Sequence, residues 1–225
     1  MKIEIESNIL RYYLRNVYYI NGTAYAGKST MVAMLAKKYN MVHCSENYHL
    51  KNCDKFVKPK YQPNIGYFQK KKDWQEFINR TPYEYARWID GSSREAAQIE
   101  IAELLRIPED QKVIVDTNIS LDVLREISDY HHVAIMLSPE SMSIERFFDR
   151  DDAEKQFLLE QIRLAKNPEK TMANFKECLA RINGKERYDE FLNSGFFSII
   201  REDTSIDTQL ETLSRLAQHF QLETR

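Results

Sequence analysis

The chain has 225 residues, enough for one sizeable α/β core, and its 43% hydrophobic and 29% charged residues are the balance of an ordinary globular domain. A formal net charge of −2 excludes attraction to nucleic acid or to an anionic membrane by overall charge alone. No apolar run approaches a membrane span, and the opening Met1-Lys2-Ile3-Glu4 alternates charge instead of building a signal core; Cys44, Cys53 and Cys178 lack metal-ligand spacing, so reduced thiols in a cytoplasmic protein with no membrane partner are expected.

In chain order, Lys2–Glu6 alternates like a short strand, and Ser7 is placed to cap a small helix carrying Ile9, Leu10, Tyr13 and Leu14. Val17–Asn21 is β-rich and stops at Gly22, which predicts a buried strand. Lys28–Tyr39 has no breaker and reads as a helix, followed by a second strand at Met41–Cys44. Ser45–Asn79 is polar and aromatic and is broken by Pro59, Pro63 and Gly66, so loop or cap is expected there. Thr81 and Pro82 open a helix that runs to Leu105, with a kink expected at Gly91–Ser92.

Lys112–Asp116 is the clearest strand, followed by a helix over Leu121–Tyr130 and a fourth strand at Val133–Leu137. Helices are predicted near Pro139–Phe148, Asp152–Lys166, Glu169–Ile182 and Lys185–Asn193, a fifth strand at Phe196–Ile200 and a last helix over Ser205–Gln221. There is no internal repeat or linker, so residues 1–225 are expected to form a single domain, with a cap over 45–110 and a lid over 139–166. Apolar strands alternating with helices predict a five-stranded parallel sheet covered on both faces.

Only six glycines occur, and Gly22 and Gly27 stand five apart in one loop. The segment Gly22-Thr23-Ala24-Tyr25-Ala26-Gly27-Lys28-Ser29, continuing to Thr30, matches G-x-x-x-x-G-K-[ST]. A triphosphate needs several backbone N–H groups aimed at it together, which takes a tight turn with no side chain in the way. The helix that follows adds its positive end. In this pattern Lys28 reaches the β- and γ-phosphates and the Ser29 hydroxyl is an oxygen ligand for Mg2+. A strand leading in and a helix leading out are the context the pattern requires. The three-layer P-loop NTPase fold, with helical cap and lid insertions, is therefore expected, with ATP and Mg2+ as cofactors. Asn-Lys-x-Asp and Leu-Ser-Gly-Gly segments are missing, which argues against a regulatory GTPase and a transporter-type ATPase.

With these motifs in place the sequence resembles the P-loop kinases of the nucleotide-kinase type, a group that includes polynucleotide kinases, zeta toxins and chloramphenicol phosphotransferase. Val113-Ile-Val-Asp116-Thr117-Asn118 is similar to the strand-end segment of the polynucleotide-kinase branch, while the Asp-Gly-x-Pro-Arg of adenylate kinases is missing. The resemblance implies that Asp116 helps hold Mg2+ from the end of the third strand. It further implies that Arg146 and Arg150, in a segment similar to the lid entry, neutralise charge on the transferring phosphoryl group. Glu46, after the second strand, stands where two branches carry the acid that takes the acceptor's proton. Glu46 and Asp116 thus compete for the base role, with His49 as a lesser candidate.

Lys51, Lys55, Lys58, Lys60, Lys70, Lys71 and Lys72 interleave with Phe56, Tyr61, Tyr67, Phe68 and Trp74. That mixture suits a nucleobase or a polynucleotide strand, and equally a solvated cap surface. Arg80, Arg87 and Arg94 lie seven apart and would share one helical face. The expected activity is transfer of the ATP γ-phosphoryl group to a small-molecule, nucleoside or nucleotide acceptor. The alternatives are a 5′-hydroxyl polynucleotide kinase, with nucleic acid as partner, and an ATP-binding regulatory module with little turnover.

Overall fold

The computed structural model describes residues 4–51, 53–70, 73–139, 142, 144, 147–149, 153–201 and 205–223. Five strands, β1 (Val17–Gly22), β2 (Val42–Cys44), β3 (Val113–Asp116), β4 (Val133–Leu137) and β5 (Phe197–Ile200), form one all-parallel sheet in the order β2-β3-β1-β4-β5. Central β1 pairs with β3 on one side, Ile20 opposite Asp116, and with β4 on the other, Gly22 opposite Met136. The chain leaves β1 for β2 beyond β3, returns to β3, and then crosses to β4. The strand order therefore reverses about β1, and open α/β sheets bind ligands outside the carboxyl ends of the strands at such a point.

Side-chain alternation along the strands divides the interior in two. Tyr18, Ile20, Ile114, Met136 and Ile199 face α2 (Lys28–Tyr39) and the C-terminal helix Ile206–His219. Tyr19, Val115, Ile135 and Leu137 face the other layer, with Leu124 and Ile127 of the helix Leu121–Ile127, Phe191 of Lys185–Leu192, and Ala97 and Leu104 of the long helix Pro82–Leu104. Because both faces are covered, β3 and β4 are buried at every position, as their unbroken apolar runs require. A third apolar core contains no strand residue among those described. Phe77, Ile78 and Tyr85 pack there against Ile162 of the helix Ala153–Arg163 and Phe175, Cys178 and Leu179 of Pro168–Asn183.

The expected α/β class and five-stranded parallel sheet are present, and α2 and β4 have the predicted bounds. Three local expectations differ. Glu4–Glu6 forms no strand, since Ile5 stays exposed and no neighbouring strand is there to pair with it. Ser7 is the first residue of a helix, α1 (Ser7–Tyr13), whose N-cap is Glu6. The helix from Pro82 passes Gly91 without interruption, opened by a reciprocal Thr81–Glu84 capping box. Gly91 instead admits a close neighbour, because a Cβ there would lie 2.4 Å from Asn64 Nδ2. We call this long helix α3. Of the helix predicted over Pro139–Phe148, most falls outside the described residues.

Candidate functional site

The carboxyl end of β1 turns into a loop whose backbone is left-handed at three places: Gly22 (φ +131°), Tyr25 (φ +66°) and Gly27 (φ +85°). Left-handed positions set among right-handed ones are the kind of backbone from which anion nests are built. Gly27 is also the N-cap of α2, and no side chain caps that helix, which leaves its positive end to an anion. Lys28, 9% exposed, lies along the loop and donates from Nζ to the Thr23 carbonyl (3.0 Å) and the Gly22 carbonyl (3.5 Å). One residue later, Ser29 Oγ donates to Asp116 Oδ2 at 2.6 Å. Of the residues predicted to hold phosphates, Gly22 to Thr30, four (Tyr25, Ala26, Gly27 and Thr30) line one cleft, and the two predicted metal ligands touch.

The loop is fastened on both flanks by buried polar groups. On the β3 side, the Asn21 carboxamide accepts from the Gly22 N–H (2.6 Å) and donates to the Ile119 carbonyl (2.7 Å). On the β4 side, Thr23 Oγ1 accepts from the Ser138 N–H (2.8 Å), Ser138 Oγ donates to the Ala24 carbonyl (2.6 Å), and the Thr23 N–H reaches the Met136 carbonyl (3.0 Å). Sequence reasoning passed over Asn21, Thr23 as a fastener and Ser138. Their signal is polarity at the ends of strands that are otherwise apolar.

Glu46 is exposed beside the same strand ends, its Oε1 3.5 Å from Asn118 Nδ2. Asp116 is 2% exposed and engaged by Ser29, so of the two carboxylates Glu46 is the one open to solvent. His49 is buried, and desolvation pushes its pKa down to about 4, so it is neutral at pH 7; it lies under α3, with Nδ1 4.0 Å from Glu100 Oε2. Arg146 and Arg150 lie outside the described residues. Lys155, in the first turn of the helix Ala153–Arg163, lies 5.9 Å from the centroid of the Tyr25 ring, so this segment does bring a cation to the loop, one the sequence reading did not select.

The basic and aromatic middle is divided. Lys51, Lys55, Lys58 and Lys60 are exposed together with Phe56 and Tyr61, whereas Phe68 and Trp74 stack on each other at 4.1 Å within the third core. Lys71 and Lys72 lie outside the described residues. The expected arginine stripe is broken: Arg87 and Arg94 are exposed, while the Arg80 guanidinium turns inward over the rings of Tyr67 (4.4 Å) and Phe77 (4.9 Å).

Beside the loop, on the β5 side, opens a cleft of about 290 Å3 lined by Tyr25, Gly27, Arg201, Thr208, Gln209 and Thr212, among others. Arg201 follows the carboxyl end of β5 and donates to the Tyr25 carbonyl. The sequence reading missed this wall, although a basic residue at a strand's carboxyl end was its available signal. No family model and no curated protein sequence matches the chain.

The donor set suits magnesium. A hydroxyl and a carboxylate 2.6 Å apart are hard oxygen ligands, and among the described residues no group of three or more His, Cys, Asp or Glu forms a protein cage of its own. Magnesium is commonly held in this way, by one or two protein oxygens plus phosphates and water. The three cysteines are free thiols, and no helix among the described residues is long and apolar enough to cross a membrane.

Proposed function

We propose that the chain is a P-loop kinase of the nucleotide-kinase type, which transfers the γ-phosphoryl group of ATP to a small-molecule, nucleoside or nucleotide acceptor. The observation that carries this reading is the 2.6 Å contact of Ser29 with Asp116 at the mouth of a left-handed loop along which Lys28 lies. In this reading the loop N–H groups and the first turn of α2 hold the β- and γ-phosphates. Lys28 exchanges the Thr23 and Gly22 carbonyls for phosphate oxygens as the anion enters. The base and ribose of ATP occupy the cleft at Arg201, Gln209 and Thr212, where polar side chains meet an apolar floor.

Bound magnesium would be held by Ser29 and Asp116 and would supply positive charge that offsets the charge of the phosphates. The acceptor oxygen attacks the γ-phosphorus from the strand-end side opposite the leaving β–γ bridging oxygen. Its proton passes to Glu46, the exposed carboxylate at that edge. Lys155, with Arg146 and Arg150, supplies positive charge from the lid. The exposed group Lys51, Lys55, Lys58, Lys60, Phe56 and Tyr61 favours one second acceptor, the 5′-hydroxyl of an oligonucleotide.

Calorimetric titration of ATP with Mg2+ tests the phosphate site. The parent is expected to bind, and Lys28→Ala to bind at least tenfold more weakly, or about 1.4 kcal/mol, at an unchanged thermal midpoint. Equal affinity of parent and variant would remove the phosphate role of Lys28. ADP release scored over metabolites and oligonucleotides then identifies the acceptor. An oligonucleotide acceptor requires retention that weakens steeply with salt.

A further inference from the structure

The G-x-x-x-x-G-K-[ST] pattern leaves Tyr25 free to be any residue, and its two neighbours are alanines. Its φ of +66° is left-handed, a conformation that glycine adopts without steric conflict and that a bulky side chain disfavours. The other described non-glycine residues with positive φ, Asn40, Asn47 and Gln221, all carry amides. Tyr25 is 8% exposed, yet none of the three apolar cores among the described residues includes it. Core packing therefore does not explain why an aromatic residue stands at a strained point of this loop. Strain that persists at a candidate site points to a function for the side chain.

Two cations contact Tyr25. The Arg201 guanidinium donates to its carbonyl, while the Arg201 N–H donates to the Leu137 carbonyl at the end of β4 (2.7 Å), so the backbone of Tyr25 is tied to the sheet. The ring meets the second cation: Lys155 Nζ lies 5.9 Å from its centroid, within reach of a cation–π contact, and 5.4 Å from that of Phe147. Phe147 packs against the third core, 6.3 Å from the fully buried Phe175 ring. The helix that carries Lys155 is held to the same core by Ile162 and by Phe157 against Trp74 (4.8 Å). It is held further by Gln75, whose side-chain amide donates to the Gln161 carbonyl (3.0 Å). Lys155 thus reaches the phosphate loop from the third core, and the Tyr25 ring receives it.

We propose that Tyr25 is a positioning residue: its ring holds the Lys155 ammonium at the phosphate loop, where that charge meets the terminal phosphate of a bound triphosphate and so separates ATP from ADP. The assignment rests on the kinase reading of the loop. Tyr25 acts through Lys155. An aromatic face attracts an ammonium without neutralising it, whereas a carboxylate in the same place would cancel the charge and repel phosphate. A ring therefore keeps a cation beside an anion site with its full charge available.

The test uses Tyr25→Leu, Tyr25→Phe, Lys155→Met and the double variant Tyr25→Leu/Lys155→Met in the full chain. Calorimetric titration with ATP, ADP and adenosine in the presence of Mg2+ reads the site, and hydrogen exchange of the Ala153–Arg163 amides without nucleotide reads the contact itself. Lys155→Met and Tyr25→Leu should each weaken ATP about tenfold and ADP less than about twofold, and the double variant no more than either. Both should exchange the Ala153–Arg163 amides faster. Tyr25→Phe restores the ring face and should recover the parental ATP-to-ADP ratio and the parental exchange. A parental ratio in Lys155→Met or in a folded Tyr25→Leu would overturn the assignment, as would a Tyr25→Phe variant impaired like Tyr25→Leu. Equal losses for ATP, ADP and adenosine in Tyr25→Leu would also overturn it, because they would place the ring against the base. A parent that binds no nucleotide would instead sink the kinase reading, and the exchange measurement would still decide whether Tyr25 holds Lys155.

Discussion

Replacing Gly22 by alanine should harm the protein far more than the same change at Gly27, although the G-x-x-x-x-G-K-[ST] pattern treats the two alike. A Cβ on Gly22 would lie 1.9 Å from the Met136 carbonyl oxygen, 2.8 Å from its carbonyl carbon and 2.9 Å from its nitrogen. These are backbone atoms of β4, so no side-chain rotation relieves the overlap. An ordinary carbon-to-oxygen approach is roughly 3.3 Å, so the two strands would have to part by more than about 1 Å at this point. The bond from the Thr23 N–H to the Met136 carbonyl would then be lost with both groups buried, about 1–3 kcal/mol for each group left unpaired. The left-handed φ of +131° adds roughly 1–3 kcal/mol of strain. The total, about 3–9 kcal/mol, is a large part of the ~5–15 kcal/mol that holds a domain folded. At Gly27 the nearest atom to an added Cβ is Met136 Cε at 3.9 Å, so only the φ of +85° counts, roughly 1–2 kcal/mol. With a urea slope of about 2 kcal/mol per molar, far-ultraviolet circular dichroism should place the two midpoints about 1–3 M apart. Midpoints within about 0.3 M of each other would refute the reasoning, because they would show that β4 yields to the methyl group at little expense.

Four further outcomes follow from the buried polar and aromatic groups. Glu100, with its pKa raised from 4.5 to about 8, keeps its proton where the unfolded chain has released it; stability should therefore fall as pH rises from 4.5 to 8, by no more than roughly 5 kcal/mol, and urea midpoints of Glu100→Gln should lack that decline. His49, lowered from 6.5 to about 4, works in the other sense: stability should fall as pH drops from 6.5 to 4, and His49→Gln should flatten that limb. Asn21→Ala leaves the Ile119 carbonyl and the Gly22 N–H unpaired and should cost about 2–4 kcal/mol by urea titration. Phe175→Ala, at a fully buried ring in the third core, should cost about 3–5 kcal/mol within that core, read as faster hydrogen exchange in Trp74–Ile78 and Pro168–Asn183 with β1 and β3 still protected.

What could be read from the residues was local. Strand β4 and helix α2 are continuous apolar or helix-forming runs with clear ends, and the glycine loop announces a backbone that only small residues allow. The strand order was not legible, because parallel pairing joins Val17 to Val113 and Tyr19 to Val133 across about a hundred residues, and neither pairing has a turn signature. The kink expected at Gly91 failed for a related reason. Glycine weakens helices in general, whereas at this position its role is to let Asn64 approach from a distant segment. Arg80 shared a helical face with Arg87 and Arg94 on paper, but Tyr67 and Phe77, folded against it from elsewhere, draw it inward. Arg201 and Gln209 were passed over because nothing local in sequence shows that β5 ends beside Tyr25.

The departures from apolar pattern collect in one place. Asn21, Thr23, Asp116, Thr117 and Ser138 all lie within two residues of the carboxyl end of β1, β3 or β4, each 4% exposed or less. Apolar residues at these positions would bury more surface without the desolvation that hydroxyl, amide and carboxyl groups suffer. They would also leave the Gly22 and Ser138 N–H groups and the Ala24 and Ile119 carbonyls, which the loop's curvature takes out of the strand ladders, with no side-chain partner. The polar ring therefore follows from the loop. A backbone that turns left-handed three times in six residues needs side chains to take over its unpaired groups, and those side chains have to be buried because the strand ends are. Local consistency between residue type and environment is relaxed only where the chain must hold a strained shape, and that makes this shape the part of the molecule whose purpose lies outside its own stability.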